Sequence, residues 1–260
     1  MTETSIVSFN VRLCIADDGI NSFIHRSGAM LSKIKKESPD IIGFQEVYPE
    51  CADFFTENLP EYHFVYNRRN ADLRGEGVLM AVKKDLFYIY GADYFWMSET
   101  PDVPASRFED QSDCPRITQC VTIQAKESGK IFRVYNAHLD HIGDQARIEG
   151  IKCLLDYAKK RNEILPAPLF LLGDFNALPD SETITYCNKY KEIPITDLTE
   201  DIPFTFHNFG KFLPDKAVKI DYIYTNKEFL KNKVSAEIWD DEKDGIFLSD
   251  HYPVVVKILL

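Results

Sequence analysis

No two cysteines of this chain stand at a metal-binding or redox spacing. The six, at positions 14, 51, 114, 120, 153 and 187, form no Cys-x-x-Cys pair, and several fall inside apparent strands or helices. A disulfide framework or a zinc–thiolate site is therefore not expected. Apolar runs long enough to cross a membrane are also missing, so stable membrane insertion is not expected. The opening residues, Met1-Thr2-Glu3-Thr4-Ser5-Ile6, carry no basic segment followed by an apolar run, and a secretion signal is not expected either. A reducing cytoplasm is the location these features imply. Low-complexity linkers, charge blocks and short repeats are absent, which suggests one domain over residues 1–260. Positive charge is scarce: 30 Lys and Arg face 41 Asp and Glu, for a net charge of -11. Binding to long nucleic acid leans on Lys and Arg to displace counterions, so this balance argues against it, although a local basic groove is compatible. Excess acid suits a site that holds a divalent cation.

What the chain does have is a large supply of core residues: 45% are hydrophobic and 13% aromatic. The stretch Leu169-Phe170-Leu171-Leu172-Gly173-Asp174-Phe175-Asn176 is the most informative. Its unbroken apolar run reads as a strand buried on both faces. Side chains alternate along a strand, so Asp174 and Asn176 point the same way just past its end. Strands are also expected at 5–9, 41–44, 62–66, 78–82, 117–125, 131–139, 220–224, 234–239 and 252–259. Helices are expected at 26–37, 49–59, 144–161 and 181–190, each with an amphipathic pattern or an N-terminal signal such as Pro49. Residues 86–116 read as a long, irregular aromatic segment, part of which could be a covered strand. Arg68, Arg69 and Arg74 form the one notable basic cluster, either a solvated loop or a substrate-steering patch.

Polar residues recur where apolar strands end. Asn10, Glu46, the pair Asn136 and His138, and the pair Asp174 and Asn176 follow their strands. Asp221 and Asp250-His251 stand at or before the start of theirs. For these groups to meet, the last strands must run opposite to the others, so the sheets must be mixed. Continuous apolar runs require burial on both faces. Two mixed sheets packed face to face with helices outside, a four-layer α/β/β/α sandwich, satisfy both demands. The residue types suit phosphoryl chemistry. Glu46 and Asp250, with Asn10, offer hard oxygen ligands for Mg²⁺ or Mn²⁺. An Asp paired with a His orients the imidazole and favours its charged form. Asn136, His138 and Asn176 could donate hydrogen bonds to phosphate oxygens.

With these motifs in view, the chain resembles the endonuclease/exonuclease/phosphatase superfamily, the DNase I-like enzymes. That group includes exonuclease III-type repair enzymes, neutral sphingomyelinases, inositol polyphosphate 5-phosphatases and deadenylases. The resemblance rests on Ser8-Phe9-Asn10-Val11, Gln45-Glu46-Val47, Asn136-Ala137-His138-Leu139-Asp140-His141, Gly173-Asp174-Phe175-Asn176, Ile220-Asp221-Tyr222-Ile223 and Ser249-Asp250-His251-Tyr252-Pro253, in the family's order. It implies a four-layer α/β sandwich and a divalent-metal-dependent phosphodiesterase or phosphatase. Glu46 would be the main metal ligand, supported by Asn10 and Asp250. His251, oriented by Asp221, would act as general base or stabilise the phosphorane, with Asp174 the rival for activating water. Asn176 and His138 would hold the phosphate. A Tyr stands at the His138 position in apurinic-site nucleases, so His138 points to the phosphatase, sphingomyelinase or deadenylase side. Phe95-Trp96-Met97-Ser98-Glu99-Thr100-Pro101 and Pro115-Arg116 are similar to a bacterial subgroup without a firm substrate, in which Arg116 would contact substrate phosphate. Ala137 departs from a usual Thr, a Trp common shortly before Arg116 is missing, and the Arg-rich signature of inositol 5-phosphatases is absent. The expected substrate is a phosphoester of modest size. A nuclease or deadenylase whose aromatic segment stacks bases is the alternative, and a catalytically inactive binding module on the same scaffold is a third reading.

Overall fold

The computed structural model describes residues 3–260; Met1 and Thr2, the start of the segment read for a secretion signal, lie outside them. In chain order, β1 (Glu3–Asn10), α1 (Phe23–Glu37) and β2 (Ile41–Val47) lead to α2 (Pro49–Asn58), β3 (Tyr62–Arg68) and β4 (Gly77–Lys83). Then come β5 (Phe87–Trp96), β6 (Ile117–Ala125), β7 (Ile131–His138), α3 (Asp144–Ile164), β8 (Leu169–Asp174) and α4 (Glu182–Lys189). The chain continues through β9 (Ile195–Asp197), β10 (Asp221–Asn226), α5 (Lys227–Leu230) and β11 (Lys233–Ile238). It closes with a small hairpin, β12 (Glu242–Lys243) and β13 (Ile246–Phe247), and with β14 (Val254–Leu259).

Two six-stranded sheets result, in the orders β11-β14-β1-β2-β4-β3 and β5-β6-β7-β8-β10-β9. Each holds one parallel pair, β1 with β2 and β7 with β8, among antiparallel neighbours. Both parallel pairs are joined by a long helix, α1 or α3, as a parallel connection requires. The sheets are thus mixed, as the polar placements demanded.

Strand alternation sorts the core into three layers. Ile6, Ile41, Met80, Val134, Phe170, Leu172, Ile223 and Val256 fill the space between the sheets. Val7, Phe9, Ile42 and Phe44, on the opposite face of the first sheet, pack with Met30 and Ile34 of α1 and Phe55 of α2. Tyr135, Leu171, Tyr222 and Tyr224 pack with Ile151, Leu154 and Leu155 of α3 and Ile184 of α4. Helices therefore cover both outer faces, giving the α/β/β/α sandwich.

The segment expected to be irregular is regular over 87–96, where β5 forms an edge strand. Its alternation is blurred because the register shifts between Ile89 and Gly91, and because an edge strand leaves Tyr88 and Tyr90 in solvent. Phe95 and Trp96 at its end are buried. No helix among the described residues is long and apolar enough to cross a membrane.

Candidate active site

Along the face between the sheets, the side chains change from apolar to polar toward one edge. On β1 the series is Ile6, Ser8, Asn10; on β7 it is Val134, Asn136, His138; on β8 it is Phe170, Leu172, Asp174. On antiparallel β10 the order reverses, so Asp221 leads and Ile223 follows. The ladder sets His138 beside Asp174 and Asp174 beside Asp221. Gly173 makes that close strand approach possible: a Cβ there would stand 1.8 Å from the Ala137 carbonyl oxygen, and its φ of +147° is one that side chains rarely adopt.

At this edge His251 Nδ1 lies 2.8 Å from Asp221 Oδ2. Thr205 Oγ1 donates to the same oxygen at 2.5 Å and accepts from the Asp221 amide at 3.1 Å, which fixes the carboxylate. The other imidazole nitrogen, Nε2, faces Asp174 Oδ2 at 3.9 Å. Burial opposes a charge on His251, but the charge and hydrogen bond of Asp221, with the charges of Asp174 and Asp250, push its pKa up to about 10. Asp174 is likewise buried. Desolvation and the charge of Asp221 push its pKa up to about 7, against the pull of His251, the Asn176 amide and Asn10. Asp174, Asp221 and His251 offer ligand atoms within 4.8 Å of one another. Since His251 Nδ1 is engaged by Asp221, this cluster is an ion-paired relay rather than an open cation seat.

Carboxylates suited to a cation lie beside the relay. Glu46 sits at a bulge in β2, where the register to β4 shifts between Phe44 and Val47. Its φ of +60° turns it out of the strand and into the cleft. Its oxygens accept from Asn10 Nδ2 at 3.1 Å and from the Leu13 amide at 3.0 Å. Asp250 lines the same cleft, its Oδ1 accepting from Ser249 Oγ and its Oδ2 3.8 Å from Arg12 Nε. Two hard carboxylates, Glu46 near the end of β2 and Asp250 in the loop before β14, fit Mg²⁺ or Mn²⁺. Asn10 departs from the expected ligand role: its oxygen accepts from the Arg12 amide at 3.0 Å, and its amino group donates to Glu46 and to Asp174. It would offer an oxygen to a cation only after the carboxamide turned over.

His138, Asn176 and Arg116 also line the cleft, which encloses about 410 Å³. His138 Nε2 lies 3.5 Å from Asp174 Oδ2. Burial, then the charges of Arg116 and Arg69, hold its pKa well below the usual histidine range, so the ring is neutral at pH 7. Asn176 has a φ of +47°, donates its amide to Asp174 Oδ1 at 2.8 Å, and commits one side-chain N–H to the Leu139 carbonyl. Asn136 corrects the expectation of a phosphate contact. It has no exposed surface, accepts from Gln45 Nε2 at 2.8 Å and donates to the Phe44 and Leu79 carbonyls. It braces the two sheets one layer below the cleft.

Sequence reading missed part of the cleft: Arg12, Tyr48 and Glu76 were given no role, His141 stood only within a motif, and Arg69 only in the basic cluster left open between loop and steering patch. Of the basic cluster, Arg69 is neither solvated nor free. Its side chain is 13% exposed and is hydrogen-bonded to Glu76 through Nη1. Glu76 precedes an apolar strand, as Asp221 does, and that placement was the available signal.

The sequence family that matches is the Endonuclease/Exonuclease/phosphatase family, over residues 7–251. A DNase I-like α/β sandwich with a cleft of carboxylates and histidines at one edge defines that class, and the chain belongs to this family. Its members are phosphoester hydrolases, and divalent-metal dependence is typical of them. The endonuclease/exonuclease/phosphatase of Bacteroides vulgatus shares 28% identity over 100% of both chains, with a TM-score of 0.91. The mannosyl-6-phosphatase Bt3783 of Bacteroides thetaiotaomicron shares 24% identity over 99% of this chain and 100% of its own, with a TM-score of 0.84. The D. rerio TDP2, complexed with a single-strand DNA product, shares 17% over 100% of both, with a TM-score of 0.79. The last two are likenesses of fold. No curated protein matches the chain.

Proposed function

We propose that this chain is a Mg²⁺- or Mn²⁺-dependent phosphoester hydrolase acting on a substrate of modest size. The observation that carries the reading is the buried relay of Asp221, His251 and Asp174 opening into the same cleft as Glu46 and Asp250. A divalent ion held by Glu46 and Asp250 would polarise a phosphoryl oxygen and stabilise the leaving oxygen. His251, cationic through Asp221, would donate a hydrogen bond from Nε2 to a phosphoryl oxygen as charge builds there. Asp174, poised near neutrality, would accept a proton from the attacking water. Asn10 would keep Asp174 and Glu46 oriented, and neutral His138 with the second N–H of Asn176 would hold the phosphate. The small cleft and the net charge of -11 favour a compact ester over a polymer.

The test is hydrolysis of bis-p-nitrophenyl phosphate and p-nitrophenyl phosphate with Mg²⁺, with Mn²⁺ and with EDTA, beside His251→Ala. Metal-dependent turnover lost in the variant is expected, and the better ester separates diesterase from monoesterase. Absence of turnover, together with divalent binding by calorimetry that is absent or insensitive to Glu46→Ala, would leave the inactive binding module instead.

A further inference from the structure

The proposed hydrolysis leaves one wall of the cleft unused. Glu76 is the hub of that wall: Arg69 Nη1 hydrogen-bonds its Oε1, Arg116 Nη1 lies 3.5 Å from the same oxygen, and His138 Nδ1 lies 3.9 Å from it. Arg116 extends the network, with Nη2 2.9 Å from His141 Nδ1 and Nε 3.6 Å from Asp140 Oδ1. The side chains of Arg116 and Glu76 are 5% and 7% exposed. Even so, the Nε groups of Arg69 and Arg116 have no hydrogen-bond partner among the described residues. Both Nε atoms are shielded from the cleft, and a buried N–H without an acceptor is costly, so the wall holds its arginines at an incomplete internal pairing; Arg69, Arg116 and Glu76 themselves line the cleft.

The charges decide what kind of ligand. Two guanidiniums face two carboxylates, Glu76 and Asp140, so the wall is close to neutral. A second anion would gain little from the arginines and would be repelled by Glu76. An apolar tail would bury this network without satisfying it. A hydroxyl both donates and accepts, and so suits a wall on which acceptor Glu76 stands beside donors Arg69 and Arg116. The rest of the lining is mainly polar, and Phe206 is engaged by a tilted contact with His251 and an edge contact with Phe212 rather than standing free for a base. A volume near 410 Å³ falls in the small-molecule range.

We propose that the alcohol part of the substrate is a polyol, a sugar or a close equivalent, whose hydroxyls are read by Glu76, Arg69 and Arg116. Arg116 is thereby assigned to the alcohol side of the ester rather than to its phosphate. The proposal rests on the hydrolase reading, since the relay fixes where the phosphate sits.

The experiment compares glucose 6-phosphate and mannose 6-phosphate with cyclohexylmethyl phosphate, which keeps the ring and the alkoxide leaving group but lacks the hydroxyls. AMP and p-nitrophenyl phosphate complete the panel. At least one hexose phosphate is expected to exceed cyclohexylmethyl phosphate in kcat/KM by about 100-fold or more, because a site built for hydroxyls rejects the analogue without them. Glu76→Gln is expected to cut that ratio about tenfold or more, mainly through KM. Arg116→Lys gives the same readout should Glu76→Gln fail to fold by circular dichroism. A ratio near one, a ratio unchanged in both variants, or AMP as the best substrate would overturn the assignment. If no ester of the panel is turned over and divalent binding is absent or insensitive to Glu46→Ala, the hydrolase reading falls, and calorimetry decides the polyol separately: tighter binding of a hexose phosphate than of cyclohexylmethyl phosphate supports it, and equal or no binding rejects it.

Discussion

Asn10 donates its side-chain amide to Asp174 Oδ2 at 2.9 Å, joining the central parallel strand pair of one sheet to that of the other. The same amino group reaches Glu46 at 3.1 Å, so one neutral donor lies between two carboxylates. Replacing it with Ala leaves those carboxylates facing one another with a donor lost. Hydrogen bonds to charged groups contribute about 1.5–3 kcal/mol each, and the expected result for Asn10→Ala is a melting temperature lower by several degrees. Asn10→Asp should be worse, since it sets a third negative charge in the same place. Differential scanning calorimetry in metal-free buffer checks the order; equal melting temperatures for Asn10→Asp and Asn10→Ala would contradict it.

The link between Asp221 and His251 makes a separate kinetic prediction. Asp221→Asn keeps the shape but removes the charge that holds His251 protonated. The expected loss in kcat is on the order of 10²–10⁴, the usual range for a positioned acid or base. Asp221→Asn combined with His251→Ala should cost little more than His251→Ala alone, since the two act as a unit. Steady-state kinetics on p-nitrophenyl phosphate measures this, and multiplicative losses would show that the residues act independently.

Two glycines predict opposite outcomes. Gly173→Ala would drive a methyl group into the Ala137 carbonyl, 1.8 Å away, at a φ of +147°. Both partners are backbone in adjacent strands, so neither can yield cheaply. The expected effect is loss of soluble protein or destabilisation of about 3 kcal/mol or more. Gly28 lies in α1, exposed, with nothing within 4 Å of a Cβ. Gly28→Ala should raise stability by about 0.5–1 kcal/mol through helix propensity. Urea unfolding of both variants tests the contrast.

These glycines also show what was legible in the chain. The apolar run through Leu172 ending in Gly173-Asp174 announced a buried strand that delivers a polar group, and the mixed sheets followed from polar residues at opposite strand ends. Depth was not legible. Asn136 and His138 share a face, and period two says which face but not how far along it the cleft begins; two residues separate a sheet brace from a cleft residue. Partnership across hairpins was hidden too. Arg69 and Glu76 meet because β3 and β4 pair Arg68 with Gly77, a register that neither residue's own neighbourhood encodes. The regular strand over 87–96 was obscured by its bulge and by the tyrosines its edge exposes.

Asp140, two residues beyond β7, predicts an acid-stability signature away from the metal ligands. Burial alone would raise its pKa, but hydrogen bonds from the Ser112 hydroxyl and the Gly143, Ile142 and Ser112 amides outweigh that and hold it at about 2. An unfolded Asp titrates near about 3.9. A folded pKa below the unfolded one means that the unfolded chain binds the proton more readily between those values. The stabilisation is therefore complete above about pH 4 and is lost as the pH falls through about 2. Asp140→Asn cannot titrate, so the wild-type advantage over it, on the order of 2 kcal/mol at pH 7, should shrink steadily between about pH 4 and 2. Urea unfolding of both proteins at intervals across that range measures the difference, and a constant advantage would mean that Asp140 stabilises by shape and hydrogen bonding alone, without its charge.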